Sequence, residues 1–312
     1  MKLYKQPVRC QATCVSETEP EHTPVHDPYH SHTFDQLCAL PIAYRDGLFD
    51  GQVVLITGGG GGIGTAMATM FGRLGATIVA CGRTEETLKT LAEKLNGIGV
   101  EVHTEAMTVR DPQQVATLIE RVWDRYGRLD VAVNNAGGQF SSPALDISPK
   151  GWHAVVETNL YGTWYVMQEA ARRWVTEATP GNIINISTIQ GRASVGIPHT
   201  AASRAGGVAL TRSLAVEWAP HDIRVNSIAV GVIASEGLKT YPPEAKASFG
   251  HNPMRRLGDV WDVAQGAAYL AGPTGRFVTG THLEITGGEH VWGEYWPLGK
   301  PEYFRLDEDL TE

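Results

Sequence analysis

The stretch that decides the fold is Thr57-Gly58-Gly59-Gly60-Gly61-Gly62-Ile63-Gly64, which completes the apolar run VVLIT at 53–57 and leads into ATMFGRLG at 68–75. A glycine loop between a strand and a helix lets a diphosphate approach the backbone and meet the unpaired N–H groups at the positive end of the helix dipole. Two registers of the motif are open, one with glycines at 59, 61 and 64 and one with glycines at 58, 62 and 64. The stretch predicts a nucleotide-binding strand-loop-helix unit and not an ordinary turn.

Around this unit, short β-branched runs alternate with helix-like stretches. Strands are predicted at 53–57, 77–81, 101–109, 131–135, 182–187, 224–230 and 281–286. Longer helices are predicted at about 148–176, 201–219 and 260–271. Strand and helix in alternation are typical of a parallel sheet covered on both faces. We therefore expect an α/β protein with a doubly wound Rossmann fold, whose seven-stranded, mostly parallel sheet has helices on both faces.

The alternation occupies only part of the chain. Residues 1–45 show no hydrophobic periodicity and are expected to form a poorly packed N-terminal arm, 46–289 the Rossmann domain, and 290–312 an aromatic-rich C-terminal extension. The cysteines and histidines of the arm match no compact ligand spacing, so no metal site is expected. They are Cys10, Cys14, His26, His30, His32 and Cys38.

Composition excludes several classes of function. Lys and Arg number 26 against 34 Asp and Glu, a net charge of −8, which disfavours nucleic acid or an anionic membrane as the main partner. No stretch approaches the roughly 20 apolar residues of a membrane-spanning helix, and the first residues lack the apolar core of a signal peptide. The final residues carry no Ser-Lys-Leu-like peroxisomal address. We expect a cytoplasmic protein with a small-molecule substrate.

The end of the second predicted strand bears on the choice of nucleotide. A site for NAD would place Asp or Glu there to accept from the ribose 2′-hydroxyl, whereas this chain has Cys81-Gly82-Arg83. Arg83 can bind a 2′-phosphate through charge-assisted hydrogen bonds, so NADP(H) is favoured over NAD(H). The alternative is that Arg83 is a solvated residue at the start of a helix.

Together with the glycine loop, Asn134-Asn135-Ala136-Gly137 and the segment 226–231 resemble the short-chain dehydrogenase/reductase superfamily over about residues 51–288. Residues 137–160 and 199–206 further resemble the peroxisomal trans-2-enoyl-CoA reductase branch and its bacterial relatives. The resemblance implies a set of cofactor-binding positions. These are Thr57, Gly58, Gly62, Ile63, Gly64, Asn135, Ala136, Gly137, Arg204, Gly231 and Ile233, with Arg83 added from the argument above.

The superfamily's Asn, Ser, Tyr and Lys active site corresponds here to Asn159, Ser187, Thr200 and Arg204. The last two depart from the pattern but keep the spacing of one helical turn, so both should project toward the cofactor. Arg204 can replace Lys as a cation. Thr200 cannot replace Tyr as an acid, because the pKa of an aliphatic hydroxyl lies far above the ~10 of a phenol.

These departures favour reduction of an α,β-unsaturated thioester over reduction of a carbonyl. Hydride then goes to the β carbon, and charge develops on the thioester oxygen, where hydroxyl and amide donors can stabilise it. We expect NADP(H)-dependent reduction of the 2,3 double bond of an enoyl-CoA. Gln139, Gln190 and His199 are the expected substrate-binding residues, and Thr188 can substitute for Ser187.

Two alternatives stay open. One is a dehydrogenase of medium-chain or terpenoid alcohols and aldehydes, with Tyr161, Tyr165 or His199 as the acid. The other is a cofactor-binding relative that has lost catalysis, since half of the usual tetrad is changed. The resemblance also implies a homotetramer or dimer.

Overall fold

The computed structural model describes residues 31–235, 237–238, 241, 249, 252–293 and 297. Its centre is a seven-stranded sheet in the order β3-β2-β1-β4-β5-β6-β7, with every neighbouring pair parallel. The strands are β1 Val53–Thr57, β2 Thr77–Gly82, β3 Val102–Ala106, β4 Val131–Asn134, β5 Gly181–Thr188, β6 Ile223–Val230 and β7 His282–Ile285. The strand order reverses between β1 and β4, and this is where open parallel sheets bind ligands beyond their carboxyl ends.

Helices cover both faces of the sheet. They are α1 Phe34–Ala39, α2 Gly62–Arg73, α3 Glu85–Gly97, α4 Pro112–Tyr126, α5 Pro149–Val156, α6 Gly162–Glu177, α7 Pro198–Glu217 and α8 Val260–Ala271. Short 3-10 helices lie at Ala144–Asp146, Ala219–His221, Pro273–Gly275 and Glu289–Val291. The expected doubly wound Rossmann fold is confirmed, with each predicted strand present.

Strand β1 shows why both faces must be covered. All five of its side chains are buried. Val54 and Ile56 pack into a core with α2, α3 and α8, while Val53 and Leu55 pack into a second core with α4, α6 and α7. Because successive side chains of a strand point to opposite faces, a continuous apolar run requires a helix layer on each side.

The expected long helix at 148–176 is interrupted. Between α5 and α6, Glu157–Tyr161 forms a π-helical turn, which then continues directly into α6. At its far end, Gly162 packs so closely on Val109 that a Cβ at this position would lie 2.5 Å from Val109 Cγ2. Asn159 is buried within this turn. A π turn inside an α-helix is frequent at functional sites, and periodicity alone does not reveal it.

Part of the expected N-terminal arm is packed. Helix α1 has a capping box between Thr33 and Gln36, and Leu37 is only 2% exposed. Beyond it, the Pro41 carbonyl accepts from Trp261 Nε1 at 3.2 Å. The packed part of the chain therefore includes residues 33–45. The sequence shows no periodic signal there, because a six-residue helix with a single buried leucine is too short to produce one. The cysteines and histidines at 10, 14, 26 and 30 lie outside the described residues, as does most of the 290–312 extension.

Two absences apply to the described part of the chain. None of its helices is long and apolar enough to cross a membrane. Its His, Cys, Asp and Glu side chains include no group of three or more placed to hold a metal ion.

Candidate active site

A cleft of about 470 Å³ opens at the carboxyl ends of the central strands. It is lined by Gly58, Gly60, Gly61, Gly62, Ile63, Gly64, Gly82, Arg83, Thr84, Thr87, Met107, Thr108, Val109, Asn135, Ala136, Gly137, Thr158, Ser235 and Gly237. Most of the cofactor positions named from the sequence are in this set. The cleft follows the path from the glycine loop to the ends of β2 and β4.

The glycine loop is shaped by close backbone contacts. Gly58 has φ +64°, and a Cβ there would lie 3.0 Å from Cα of Ala136. A Cβ on Gly64 would collide with the carbonyl oxygen of Gly58. Gly64 belongs to both registers, and a Cβ on Gly59 would also lie only 2.7 Å from Ala80 Cβ, so these contacts leave both registers open. Helix α2 begins at Gly62 with no side-chain cap, which leaves N–H groups of its first turn for an anion.

Thr57 and Asn135 join β1 to β4 beneath the loop. Thr57 Oγ1 accepts from the N–H groups of Asn135 at 3.0 Å and Ala136 at 2.9 Å. Asn135 Nδ2 donates to the carbonyls of Thr57 and Gly58, both at 3.0 Å. Thr57 thus lies under the cleft and supports its wall. A cradle of glycines and open N–H groups of this size fits a dinucleotide.

Arg83 stands exposed at the end of the cleft beyond β2. Thr84 occupies the N-cap position of α3, but its side chain makes no capping hydrogen bond. Glu85 and Glu86 follow in the first turn and do not line the cleft. Among the described residues, the cleft lining contains no carboxylate.

Asn159 fixes the loop after β4. Its Oδ1 accepts from the Gly138 N–H and its Nδ2 donates to the Gly138 carbonyl, both at 3.0 Å. The side chain is 1% exposed. Both polar atoms of its amide therefore hold the backbone next to Gly137 in position.

Arg204 reaches from α7 across the end of β5. Nη1 donates to the Ile186 carbonyl at 2.7 Å, and a Cβ on Gly137 would collide with Nη2. Burial lowers the pKa of Arg204 to about 10, so the guanidinium remains cationic at neutral pH. No ion pair within the described part of the chain involves Arg204. Arg204 is half-buried, and a cation so placed with no carboxylate partner attracts a ligand that carries or develops negative charge.

Ser187 and Thr200 lie beside this cation. Ser187 follows Ile186 in β5 and is 4% exposed, and its Oγ has no hydrogen-bond partner within the described part of the chain. Thr200 is 2% exposed and precedes Arg204 by one turn of α7. The four tetrad positions thus come from the π turn, β5 and α7.

His199 is buried completely and packs against two aromatic rings. Its ring meets Phe140 edge-on at 4.6 Å between centroids and Trp152 at 6.4 Å. Nδ1 lies 2.8 Å from the Thr200 N, and among the described residues Nε2 has no hydrogen-bond partner. Burial lowers the pKa of His199, so the neutral form is favoured.

The remaining predicted residues are distributed unequally. Gln190 donates from Nε2 to the Thr188 carbonyl at 2.9 Å and so braces its own loop. Gly231 and Ile233 line a neighbouring cavity of about 440 Å³ and not the cleft. Tyr161 is 47% exposed and absent from the cleft lining, and Tyr165 packs against the second core.

Sequence reasoning missed Tyr241. Its hydroxyl accepts from Gln139 Nε2, directly after the Gly138 backbone that Asn159 holds. The contact joins residues 102 positions apart. Tyr241 stands among residues without periodicity, so no signal in the sequence connects it with Gln139.

Known proteins agree with this architecture. The family model described as enoyl-(acyl carrier protein) reductase matches residues 59–290. A probable 2,4-dienoyl-CoA reductase of Bacillus subtilis is 36% identical over 253 residues, covering 79% of this chain and 99% of that protein. A peroxisomal 2,4-dienoyl-CoA reductase of Arabidopsis thaliana is 34% identical over 273 residues, covering 83% and 89%.

Among solved structures, a citronellol catabolism dehydrogenase of Pseudomonas aeruginosa PAO1 superposes with a TM-score of 0.72 at 35% identity, covering 80% of this chain and 98% of that chain. A short-chain type dehydrogenase/reductase of Mycobacterium marinum gives a TM-score of 0.73 at 29% identity, covering 82% and 99%. The chain therefore belongs to the short-chain dehydrogenase/reductase family, whose members are oxidoreductases that use NAD(P)(H).

Proposed function

We propose that the protein reduces a carbon–carbon double bond conjugated to the thioester of an acyl-CoA, with NADP(H) as cofactor. The observation that carries the proposal is the half-buried cation of Arg204, which has no carboxylate partner among the described residues and lies next to Ser187, in a site with threonine at position 200. Such a site offers hydrogen-bond donors to an oxyanion but no phenol at the usual place.

The chemistry follows from where charge develops. Reduction of the double bond adds a hydride to the β carbon and a proton to the α carbon. The bound cofactor would supply the hydride. Between these two additions the thioester oxygen carries enolate charge. Arg204 and the free hydroxyl of Ser187 donate to that oxygen, and Asn159 holds the loop at Gly138 that borders the site. The α carbon takes its proton from water.

Reduction of an isolated carbonyl makes a different demand. The carbonyl oxygen, which becomes an alkoxide, must then be protonated to a hydroxyl. A positioned acid of suitable pKa contributes about 10²–10⁴-fold to the rate of that reaction. The hydroxyl of Thr200 has far too high a pKa to serve. An enolate is protonated on carbon, so the missing tyrosine is a smaller loss for the proposed reaction.

The NADP(H) preference is supported at the end of β2. Arg83 is exposed there, and the hydroxyl of Thr84, at the N-cap position of α3, makes no capping hydrogen bond. A 2′-phosphate would meet a guanidinium, a hydroxyl and a helix N-terminus. The absence of a lining carboxylate among the described residues removes the usual partner of a free 2′-hydroxyl.

Two classes of unsaturated thioester fit the proposal, and they differ in the position and number of their double bonds. Several relatives are named as 2,4-dienoyl-CoA reductases, so a dienoyl thioester stands beside the 2-enoyl thioester expected from the sequence. The donor set serves both, because hydride addition to either leaves charge on the same thioester oxygen.

A second candidate is a dehydrogenase of medium-chain or terpenoid alcohols and aldehydes. It is favoured by one observation: the buried Nε2 of His199 has no partner among the described residues and is available to a carbonyl oxygen. The structural relative named as a citronellol catabolism dehydrogenase supports the same substrate class. Loss of catalysis is the third candidate.

The deciding experiment is oxidation of NADPH by the purified protein with trans-2-enoyl-CoA and 2,4-dienoyl-CoA thioesters of several chain lengths, beside citronellal and matching ketones. We expect turnover with the thioesters, and slower turnover when NADH replaces NADPH. Turnover with the aldehydes alone would overturn the proposal in favour of the second candidate. Tight NADPH binding without turnover on any of them would favour the third.

A homo-oligomer, tetramer or dimer, is part of the proposal. Helices α6 and α7 carry exposed apolar side chains, among them Val175 at 43% and Val216 at 79%. Apolar side chains on neighbouring helices are suited to packing against a second copy. Sedimentation equilibrium of the wild type and of Val216→Glu would test this, with a lower mass expected for the variant.

A further inference from the structure

The first described residue, Ser31, reaches the N-terminus of α2, whose first residues line the cleft. Ser31 Oγ is 3.9 Å from the position that a Cβ on Gly62 would occupy, and Gly62 is the first residue of α2. Ser235 Cβ and Val260 Cγ1 approach the same position, at 3.4 and 3.8 Å. The hydroxyl of Ser31 thus stands beside the helix end that the family uses for the cofactor diphosphate.

A contact between His32 and Asp259 holds this segment in place. His32 Nε2 meets Asp259 Oδ2, and Asp259 is the N-cap of α8. The other carboxylate oxygen of Asp259 accepts from the Trp261 N–H at 2.7 Å. Val260, the next residue, approaches the position that a Cβ on Gly62 would occupy, so the contact ties the segment to the part of α8 that lies beside the N-terminus of α2.

Helix α1 fastens the other end of the segment to the same two helices. Arg73 Nη1, on α2, donates to the Leu37 carbonyl at 2.7 Å, and the guanidinium lies 5.5 Å from the centroid of the Trp261 ring, on α8. The segment precedes residue 59, where the family match begins. The Bacillus subtilis and Pseudomonas aeruginosa relatives are covered over 99% and 98% of their length, while about a fifth of this chain is left outside each match.

We propose that residues 31 and 32 belong to the cofactor site of this protein. Ser31 contributes a hydroxyl donor beside the first turn of α2, where the diphosphate binds, and the His32–Asp259 contact positions Ser31 there. The proposal rests on the family's use of NAD(P)(H) and not on the identity of the acyl substrate.

The test is the affinity of the full-length protein for NADP⁺, measured by isothermal titration calorimetry without substrate. We expect Ser31→Ala to raise Kd about threefold to tenfold, the loss of one hydrogen bond to a charged group, and Ser31→Thr to restore most of the affinity. His32→Ala should raise Kd by at least as much. In turnover, both should raise the KM for the cofactor with little change in kcat.

The matched control is Gln36→Ala, which loosens the first turn of α1 through its capping box but touches neither Gly62 nor Asp259. Its Kd should remain within about twofold of the wild type. An equal rise of Kd in Gln36→Ala and Ser31→Ala would mean that the segment acts through packing alone, and would overturn the proposal. An unchanged Kd in both Ser31→Ala and His32→Ala would also overturn it, whatever substrate the enzyme reduces.

Discussion

The cofactor cleft and the tetrad site beside it are built from different chemical groups. On the cleft side, along β1–β3, the close contacts are between main-chain atoms, such as Gly64 against the Gly58 carbonyl. On the tetrad side, which meets the cleft at Gly137, the polar groups are the side chains of Asn159, Ser187 and Arg204. A backbone site recognises a shape that many substrates share, whereas a side-chain site sets the reaction. The first side should therefore lose binding when changed, and the second should lose turnover.

The largest expected effect is on the side-chain half. Arg204→Ala should lower kcat with the thioester substrate about 10²–10³-fold, because it removes a preorganised charge from the developing enolate. Arg204→Lys should retain much of the activity, since it keeps the cation. The control is Arg212→Ala, an exposed arginine on the same helix. A fall in NADP⁺ affinity as large as the fall in kcat would contradict the division between the two sides.

Gly64→Ala tests the backbone half. Its Cβ would meet the Gly58 carbonyl, so the loop must shift, and we expect the free energy of unfolding to fall by about 1–3 kcal/mol together with a loss of cofactor affinity. Urea unfolding and calorimetry measure the two quantities. Gly97→Ala, at the end of α3 with no atom within 4 Å of the new Cβ, is the control and should not destabilise the protein. Unchanged cofactor affinity in Gly64→Ala would show that the loop tolerates movement.

Arg83→Ala tests the comparison further, because Arg83 contributes a side chain to the part of the cofactor site that is otherwise built mainly from backbone groups. We expect the affinity for NADPH to fall about tenfold, the loss of about 1.4 kcal/mol from a charged hydrogen bond, while the affinity for NADH stays within about twofold. Lys89→Ala, also exposed on α3 and outside the cleft lining, controls for a general loss of positive charge. Equal losses of affinity for NADPH and NADH would show that Arg83 does not contact the 2′-phosphate.

The smallest expected effect concerns pH. Burial holds the pKa of His199 below its ordinary value, so below about pH 6.5 the unfolded chain binds a proton that the folded chain does not. This contribution to stability is present above that pH and is lost as the pH falls toward the pKa of the folded state. His199→Gln should reduce the loss of stability between about pH 6.5 and 5 by up to about 1 kcal/mol, measured by urea unfolding. His103 and His282, whose pKa values are also lowered, remain in the variant and give a residual slope.

Sequence patterns predicted the fold closely where the signal is periodic and local. The predicted strand at 53–57 and helix at 260–271 have the bounds that the structure gives to β1 and α8. The glycine loop was recognised because the strand and helix on either side set its context. Patterns of this kind depend on neighbours within a few residues.

The parts that were not predicted depend on contacts between distant segments. The π turn at Asn159 has the same apolar spacing as an α-helix, and α1 contributes a single buried leucine. Gln139 meets Tyr241, and Arg192 donates to the Glu289 carbonyl at 2.7 Å across 97 positions, and neither contact leaves a local pattern. For the substrate half, the sequence supplied the residue types, whereas the pairing of Asn159 with Gly138 required the fold.

The π turn at Glu157–Tyr161 also determines how the chain responds to changes in its length. A π turn accommodates one residue more than an α-helical path between the same ends. Deleting one residue there would restore α-helical hydrogen bonding while α5 and α6 keep their directions. Trp152, on α5, would stay against His199, and α6 would keep its place in the core. A single-residue deletion in this turn should therefore leave a folded protein whose Gly138 loop has lost its two hydrogen bonds to Asn159, whereas a deletion elsewhere in α6 would rotate the rest of that helix by about 100° and disturb the core.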